Sequence, residues 1–155
     1  MITENLMIVR LALSVVLGGL IGFERQMHRR TAGLRTNILV CLGSCLIMLL
    51  SQYVFEVFRH DVMVDPSRIA SSIITGIGFL GAGAILRERD KEAVRGLTTA
   101  ACLWVVAAIG MAVGCGFYSA ALVTTVFTLI VLFFLRHAET WMFTVQKKGE
   151  TEGGD

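Results

Sequence analysis

Five apolar runs constrain this chain more than any other feature: Leu6–Phe23, Thr36–Phe58, Ile69–Leu86, Leu97–Val113 and Phe117–Leu135. Each is about as long as the 17–25 residues a helix needs to cross bilayer hydrocarbon. In that medium a helix satisfies its own backbone hydrogen bonds, so all five are read as transmembrane helices. A soluble core could hide one or two such runs, but not five in 155 residues. Composition agrees, with 55% hydrophobic and 17% charged residues, against about 45–50% and ~25% in ordinary soluble domains. A net charge of +2 argues against nucleic acid as a partner. The expectation is an all-α membrane protein, with a five-helix transmembrane domain over residues 1–135 and a short cytoplasmic tail over 136–155.

Loop charges orient the bundle. Arg25, Arg29, Arg30 and Arg35 follow the first run, and Arg87, Arg89, Lys91 and Arg95 follow the third. Arg136, Lys147 and Lys148 follow the fifth, whereas the opposite side carries only Arg59 and Arg68. The positive-inside rule then places the N-terminus outside and the C-terminus in the cytoplasm. Met1–Asn5 holds no basic residue, the reverse of a secretory signal peptide. The junctions echo one another: Gly33-Leu34 opens the second helix as Gly96-Leu97 opens the fourth. That echo is compatible with a parallel repeat of a two-helix unit or with recurring junction chemistry.

Small residues mark where helices can approach. Gly18-x-x-x-Gly22 forms a small face on the first helix, suited to packing within the bundle or between two copies. Gly76, Gly78, Gly81 and Gly83 make the third helix thin, which predicts close packing there or a bent or broken helix. Gly76–Gly81 spells G-x-G-x-x-G, but inside a membrane run it lacks the strand that a dinucleotide site requires. The second helix carries a polar stripe, Asn37, Cys41, Ser44 or Cys45, Met48, then Ser51 or Gln52, which should face protein or a polar cleft.

Ionisable groups avoid the centre of every run. Glu24 and Glu56 sit at helix ends, and Arg10 lies one turn in from the outer end, where it can snorkel toward Asp61 or Asp65. Glu24 either pairs with the arginine loop or forms a functional carboxylate near Asn37, Arg35 and Thr98. Cys41, Cys45, Cys102 and Cys115 read as free thiols, without the partners of a zinc site or a disulfide framework. No nucleophile–base arrangement or paired carboxylates occur, so neither an enzyme nor a cofactor is expected.

Several blocks resemble the MgtC/SapB family. They are Gly18-Gly-Leu-Ile-Gly-Phe-Glu-Arg-Gln26, Ala32-Gly-Leu-Arg-Thr-Asn37, Asp65-Pro-Ser-Arg68, Gly76-Ile-Gly-Phe-Leu-Gly-Ala-Gly-Ala-Ile-Leu86 and Val94-Arg-Gly-Leu-Thr-Thr-Ala-Ala101. The resemblance implies a multi-pass protein of the bacterial inner membrane with about five spans and an external N-terminus. It also implies a role in low magnesium, acid stress or virulence, exerted by binding other membrane proteins, notably an ATP synthase or a P-type magnesium pump. Membrane lipid and a second copy, as a dimer, are further expected partners. An oligomeric transporter or channel for Mg²⁺ or protons is the alternative. Carried over by motif, Glu24 and Asn37 are the leading functional residues, followed by Arg35, Arg95 and Thr98. About 20 residues follow the fifth run, where virulence members carry a soluble domain, so that domain is expected to be lacking.

Overall fold

The structure, a computed structural model, describes residues 3–58, 65, 67–87 and 94–134. Four helices are α1 (Glu4–Met27), α2 (Leu34–Phe58), α3 (Ser67–Ala84) and α4 (Leu97–Cys115). A fifth, α5, covers Tyr118–Phe134. Each apolar run has become one helix, with ends shifted by up to four residues. The largest shift is at α1, which continues through Glu24-Arg25-Gln26-Met27. Hydropathy falls there, but these residues remain good helix formers. Between α3 and α4 lies a ladder the sequence did not announce, β1 (Leu86–Arg87) and β2 (Val94–Arg95), paired antiparallel with Leu86 opposite Arg95.

By length and composition α1, α2 and α4 can each cross a membrane. α3 opens on Ser67 and Arg68 and α5 is shorter, so neither meets the same standard alone. The α4–α5 turn is built on Gly116, which adopts φ +83. Its N–H donates to the Val113 carbonyl at 2.9 Å, and the Phe117 N–H donates to the Ala112 carbonyl at 2.8 Å. These two bonds close α4 as a Schellman motif. Gly96, before α4, also takes a left-handed φ of +95, whereas Gly33, before α2, does not. The echoed junctions therefore differ in backbone conformation.

α2 is the middle of the bundle. A Cβ on Gly18 would lie 2.7 Å from Cys41 Cβ, and one on Gly22 would lie 2.9 Å from the Leu34 carbonyl oxygen. The pairing falls in α2 as it rises in α1, so the two helices are antiparallel. On the other side of α2, a Cβ on Gly110 would collide with the Cys41 carbonyl, and one on Gly114 would lie 2.8 Å from the Cys45 carbonyl oxygen. There the pairing rises together, so α4 runs parallel to α2. The α2 stripe predicted to be polar is thus buried between two glycine faces, with Asn37, Cys41, Ser44, Cys45 and Ser51 all buried. Their small side chains are what lets three backbones come so close.

α3 departs from expectation. It is continuous rather than broken, and it buries only Ile73, Ile77 and Gly81. It packs mainly on α4, where a Cβ on Gly81 would meet Ala100 Cβ at an ordinary 3.6 Å. Among the described residues, a Cβ on Gly76, Gly78 or Gly83 would find no atom within 4 Å. Close packing at those three glycines is therefore not found among the described residues. The buried stripe repeats every four residues through Ile73, Ile77 and Gly81, and the other glycines fall off it.

Gly110→Leu must push α4 off α2 and should destabilise by ~3 kcal/mol or more, the upper range for overpacking. At Gly78 a Cβ has no atom within 4 Å among the described residues, and Gly78→Leu should stay within about 0.5 kcal/mol of wild type. Thermal melts in detergent check this; similar melting temperatures for the two variants would contradict the packing described.

Candidate functional site

The buried stripe of α1 carries Ser14, Leu17, Gly18, Ile21 and Gly22, and an arginine ends it at each extreme: Arg10 and Arg25 are both buried. Each arginine organises one end of the bundle.

At the end near the α1–α2 loop, Arg25 Nε donates to Glu24 Oε2 at 2.8 Å. His28 Nδ1 lies 2.7 Å from the Glu24 carbonyl oxygen and 2.9 Å from Glu24 Oε1. The imidazole thus sits between backbone and carboxylate of one residue. Among the described residues, Arg25 Nη1 is buried and lacks a hydrogen-bond partner, and Glu24 Oε1 has only the His28 ring beside it. A buried ion pair left incompletely bonded stabilises little, because desolvation offsets the Coulomb gain. Such a pair is better suited to being completed by another group than to holding helices together.

Asn37 is fully buried beside this pair. Its Nδ2 donates to the carbonyls of Ala32 at 3.0 Å and Gly33 at 2.8 Å. Its Oδ1 accepts a long contact of 4.0 Å from the Cys102 thiol. Asn37 therefore ties the loop and the first turn of α2 to α4. Cys102 lies within electrostatic range of both Arg25 and Glu24, and Thr99 is buried one turn earlier on α4.

The structure so brings Glu24 and Asn37 to one end, around Cys102. It does not bring Arg35 and Thr98 into that cluster, since both side chains are exposed. Arg95 is likewise exposed, on β2. Pairing of Glu24 with an arginine of this loop was one of the two readings of the sequence, but the burial of Arg25 and the place of Cys102 beside Asn37 were not anticipated. Arg25 was findable, because it falls four residues after Ile21 on the α1 stripe. No group of three His, Cys, Asp or Glu able to hold a metal occurs among the described residues. Three of the four cysteines are buried, and Cys115 is exposed.

At the other end Arg10 turns inward rather than snorkelling. Its Nη1 donates to the Gly114 carbonyl at 2.7 Å and to Gln52 Oε1 at 3.3 Å. Its Nε donates to the Tyr118 hydroxyl at 3.0 Å. Gln52 Nε2 donates to the same Gly114 carbonyl at 3.1 Å. One guanidinium thereby joins α1, α2, α4 and α5, and its charge opposes the negative end of α4. Of the two acids expected to receive it, Asp61 lies outside the described residues. Asp65 is exposed and accepts from the Ser67 hydroxyl at 2.6 Å and the Ser67 N–H at 2.8 Å. Those bonds hold the Asp65 carboxyl below the usual carboxylate range.

These features define a small, predominantly helical protein with apolar helices of membrane-spanning length, held by glycine contacts and by the buried Arg10. The model of the MgtC family matches residues 11–141, and the chain belongs to that family. It is 51% identical over 127 residues to YhiD of Escherichia coli strain K12, whose name marks it as a candidate magnesium transporter, covering 81% of this chain and 58% of that protein. It is 50% identical over 128 residues to Protein MgtC of Brucella abortus strain 2308, covering 81% and 50%. It is 37% identical over 131 residues to Protein SapB of Bacillus subtilis strain 168, covering 83% and 56%. The chain thus spans between half and three fifths of the length of these curated relatives. No solved structure matches it significantly.

Arg10→Gln should leave the Gly114 carbonyl and the Tyr118 hydroxyl short of a donor and cost about 2 kcal/mol. Arg10→Lys should recover less than half of that, because an ammonium cannot span both partners with fixed geometry. Thermal melting in detergent reads both, and full stability of Arg10→Lys would show that charge alone suffices.

Proposed function

We propose that this chain is a multi-pass protein of the bacterial inner membrane, with five spans, its N-terminus outside and its C-terminus in the cytoplasm. It acts by contact, regulating other integral membrane proteins such as an ATP synthase or a P-type cation pump during low magnesium, acid stress or host conditions. The observation that carries this reading is the closed core. α1, α2 and α4 approach to backbone contact at Gly18, Gly22, Gly110 and Gly114, so their shared core is closely packed at those points. The buried polar side chains Arg10 and Asn37 are bonded to neighbouring backbone. α3, by contrast, presents Gly78 with no atom within 4 Å of a Cβ placed there among the described residues, a point thin enough for a foreign helix to approach.

Transport is the second reading, favoured by the name of the Escherichia coli relative. A magnesium ion requires several oxygen ligands in near-octahedral geometry. In this chain Glu24 is held by Arg25 and His28, so a cation path would have to form between copies.

Two outcomes test the contact reading. A photoreactive side chain replacing Gly78, irradiated in cells, should crosslink to a subunit of an ATP synthase or P-type pump identified by mass spectrometry. Crosslinks only to a second copy would contradict it. Glu24→Gln leaves Arg25 buried without its counter-charge, and breaking such a pair costs roughly 3–5 kcal/mol. Glu24→Gln/Arg25→Gln should regain most of that stability yet still fail to support growth in low magnesium. If growth is normal, the pair is structural only.

A further inference from the structure

Along one flank α2 and α3 diverge and leave a lateral groove. A cavity of about 480 Å³ runs from Arg35 and Thr36, past Gly43, to Ile47, and α3 walls its other side from Leu80 back through Gly76. At Thr36 and Leu80 it meets a second cavity of about 390 Å³ that reaches α4. Two absent side chains set the width, since a Cβ on Gly43 or on Gly76 would meet no atom within 4 Å. The lining is otherwise mainly apolar, with hydroxyls at Thr36, Ser44 and Ser72, and its single charged residue is Arg35.

Length and charge identify the occupant. From Thr36 to Ile47 α2 rises about 16 Å at 1.5 Å per residue, close to half of the ~30 Å hydrocarbon core of a bilayer. The groove is one leaflet long. Its polar end is cationic: Arg35 is exposed and makes no hydrogen bond or ion pair among the described residues. Arg29 and Arg30 are exposed on the adjoining loop. A molecule that matches this surface has an anionic head and an apolar tail of one leaflet's depth. A second copy in the same orientation would set basic loop against basic loop, which costs Coulomb energy.

We infer that the α2–α3 groove binds one anionic phospholipid of the surrounding bilayer, with its phosphate on Arg35 and an acyl chain lying over Gly43 and Gly76. The inference rests on the membrane-embedded reading above. The bound lipid fills the space between two helices that touch each other only lightly and fixes α3 at its depth. A guanidinium at the groove mouth suits a phosphate, which it meets through paired N–H donors.

Native mass spectrometry of the full chain in detergent tests this, with added dioleoyl phosphatidylglycerol or dioleoyl phosphatidylcholine. Wild type should retain one phosphatidylglycerol about fivefold in preference to phosphatidylcholine, the equivalent of the ~1 kcal/mol that one basic residue contributes near an anionic surface. Arg35→Gln should bring that ratio to about one. Gly76→Leu should lose both adducts with an unchanged melting temperature, because its side chain enters the groove and not the protein. Gly43→Leu is the second filling variant. Equal retention of the two lipids by wild type would overturn the proposal. So would an undiminished preference in Arg35→Gln, or adducts that survive both filling variants. Unfolding of both filling variants would contradict an open groove, and a dimer dissolved by Gly76→Leu would assign the groove to a second copy. Resistance of the expressed chain to alkaline carbonate extraction is scored separately. Extraction would remove the membrane reading itself, whereas an embedded chain without lipid preference would remove only this inference.

Discussion

Cys41 stands between two glycines, Gly18 on α1 and Gly110 on α4, and the rest of the bundle depends on that three-layer contact. In hydrocarbon, helices gain nothing from hiding apolar surface from lipid that is equally apolar. Association relies instead on close van der Waals fit and interhelical hydrogen bonds. Both devices occur here. Glycines let the backbones of α1, α2 and α4 touch, and Arg10, Gln52 and Asn37 bind the helix ends. The contact also places the ends: with Gly18 on Cys41 and Gly22 on Leu34, Arg10 reaches Gln52 and Gly114, and Asn37 reaches the Cys102 thiol. A one-turn slip would undo all of these together.

The five helices were legible because each apolar run is long and is separated from the next by charge or glycine. The Gly18–Gly22 face was legible from spacing, and the polar stripe of α2 from periodicity. Other features were hidden for physical reasons. Gly110 and Gly114 lie near the tight turn at Gly116, so the turn masked a packing face of the same spacing. The α3 glycines misled because composition reports how thin a helix is, not which side has a neighbour. The direction taken by Arg10 depended on an acceptor, the Gly114 carbonyl, that only the α4 terminus creates. Of the anticipated site, Glu24 and Asn37 share one end, while Arg35 faces the groove and Thr98 faces outward.

Two kinds of polar group emerge from this arrangement. Arg10, Gln52 and Asn37 are bonded to backbone and set the positions of helices. Glu24, Arg25 and His28 form a cluster with a donor left over at Arg25 Nη1, at the end of the bundle where basic residues gather. On the contact reading proposed above, the closely packed core and the incompletely bonded charged end serve for meeting a partner rather than for passing an ion through a single copy.

Ion flux through the purified chain in proteoliposomes, followed with magnesium- and proton-sensitive dyes in parallel, tests that conclusion most directly. The account predicts no flux of either ion above protein-free vesicles, from protein shown to be folded and inserted. Flux that scales with protein and is removed by Glu24→Gln/Arg25→Gln would contradict it and make the charged end part of a conduction path.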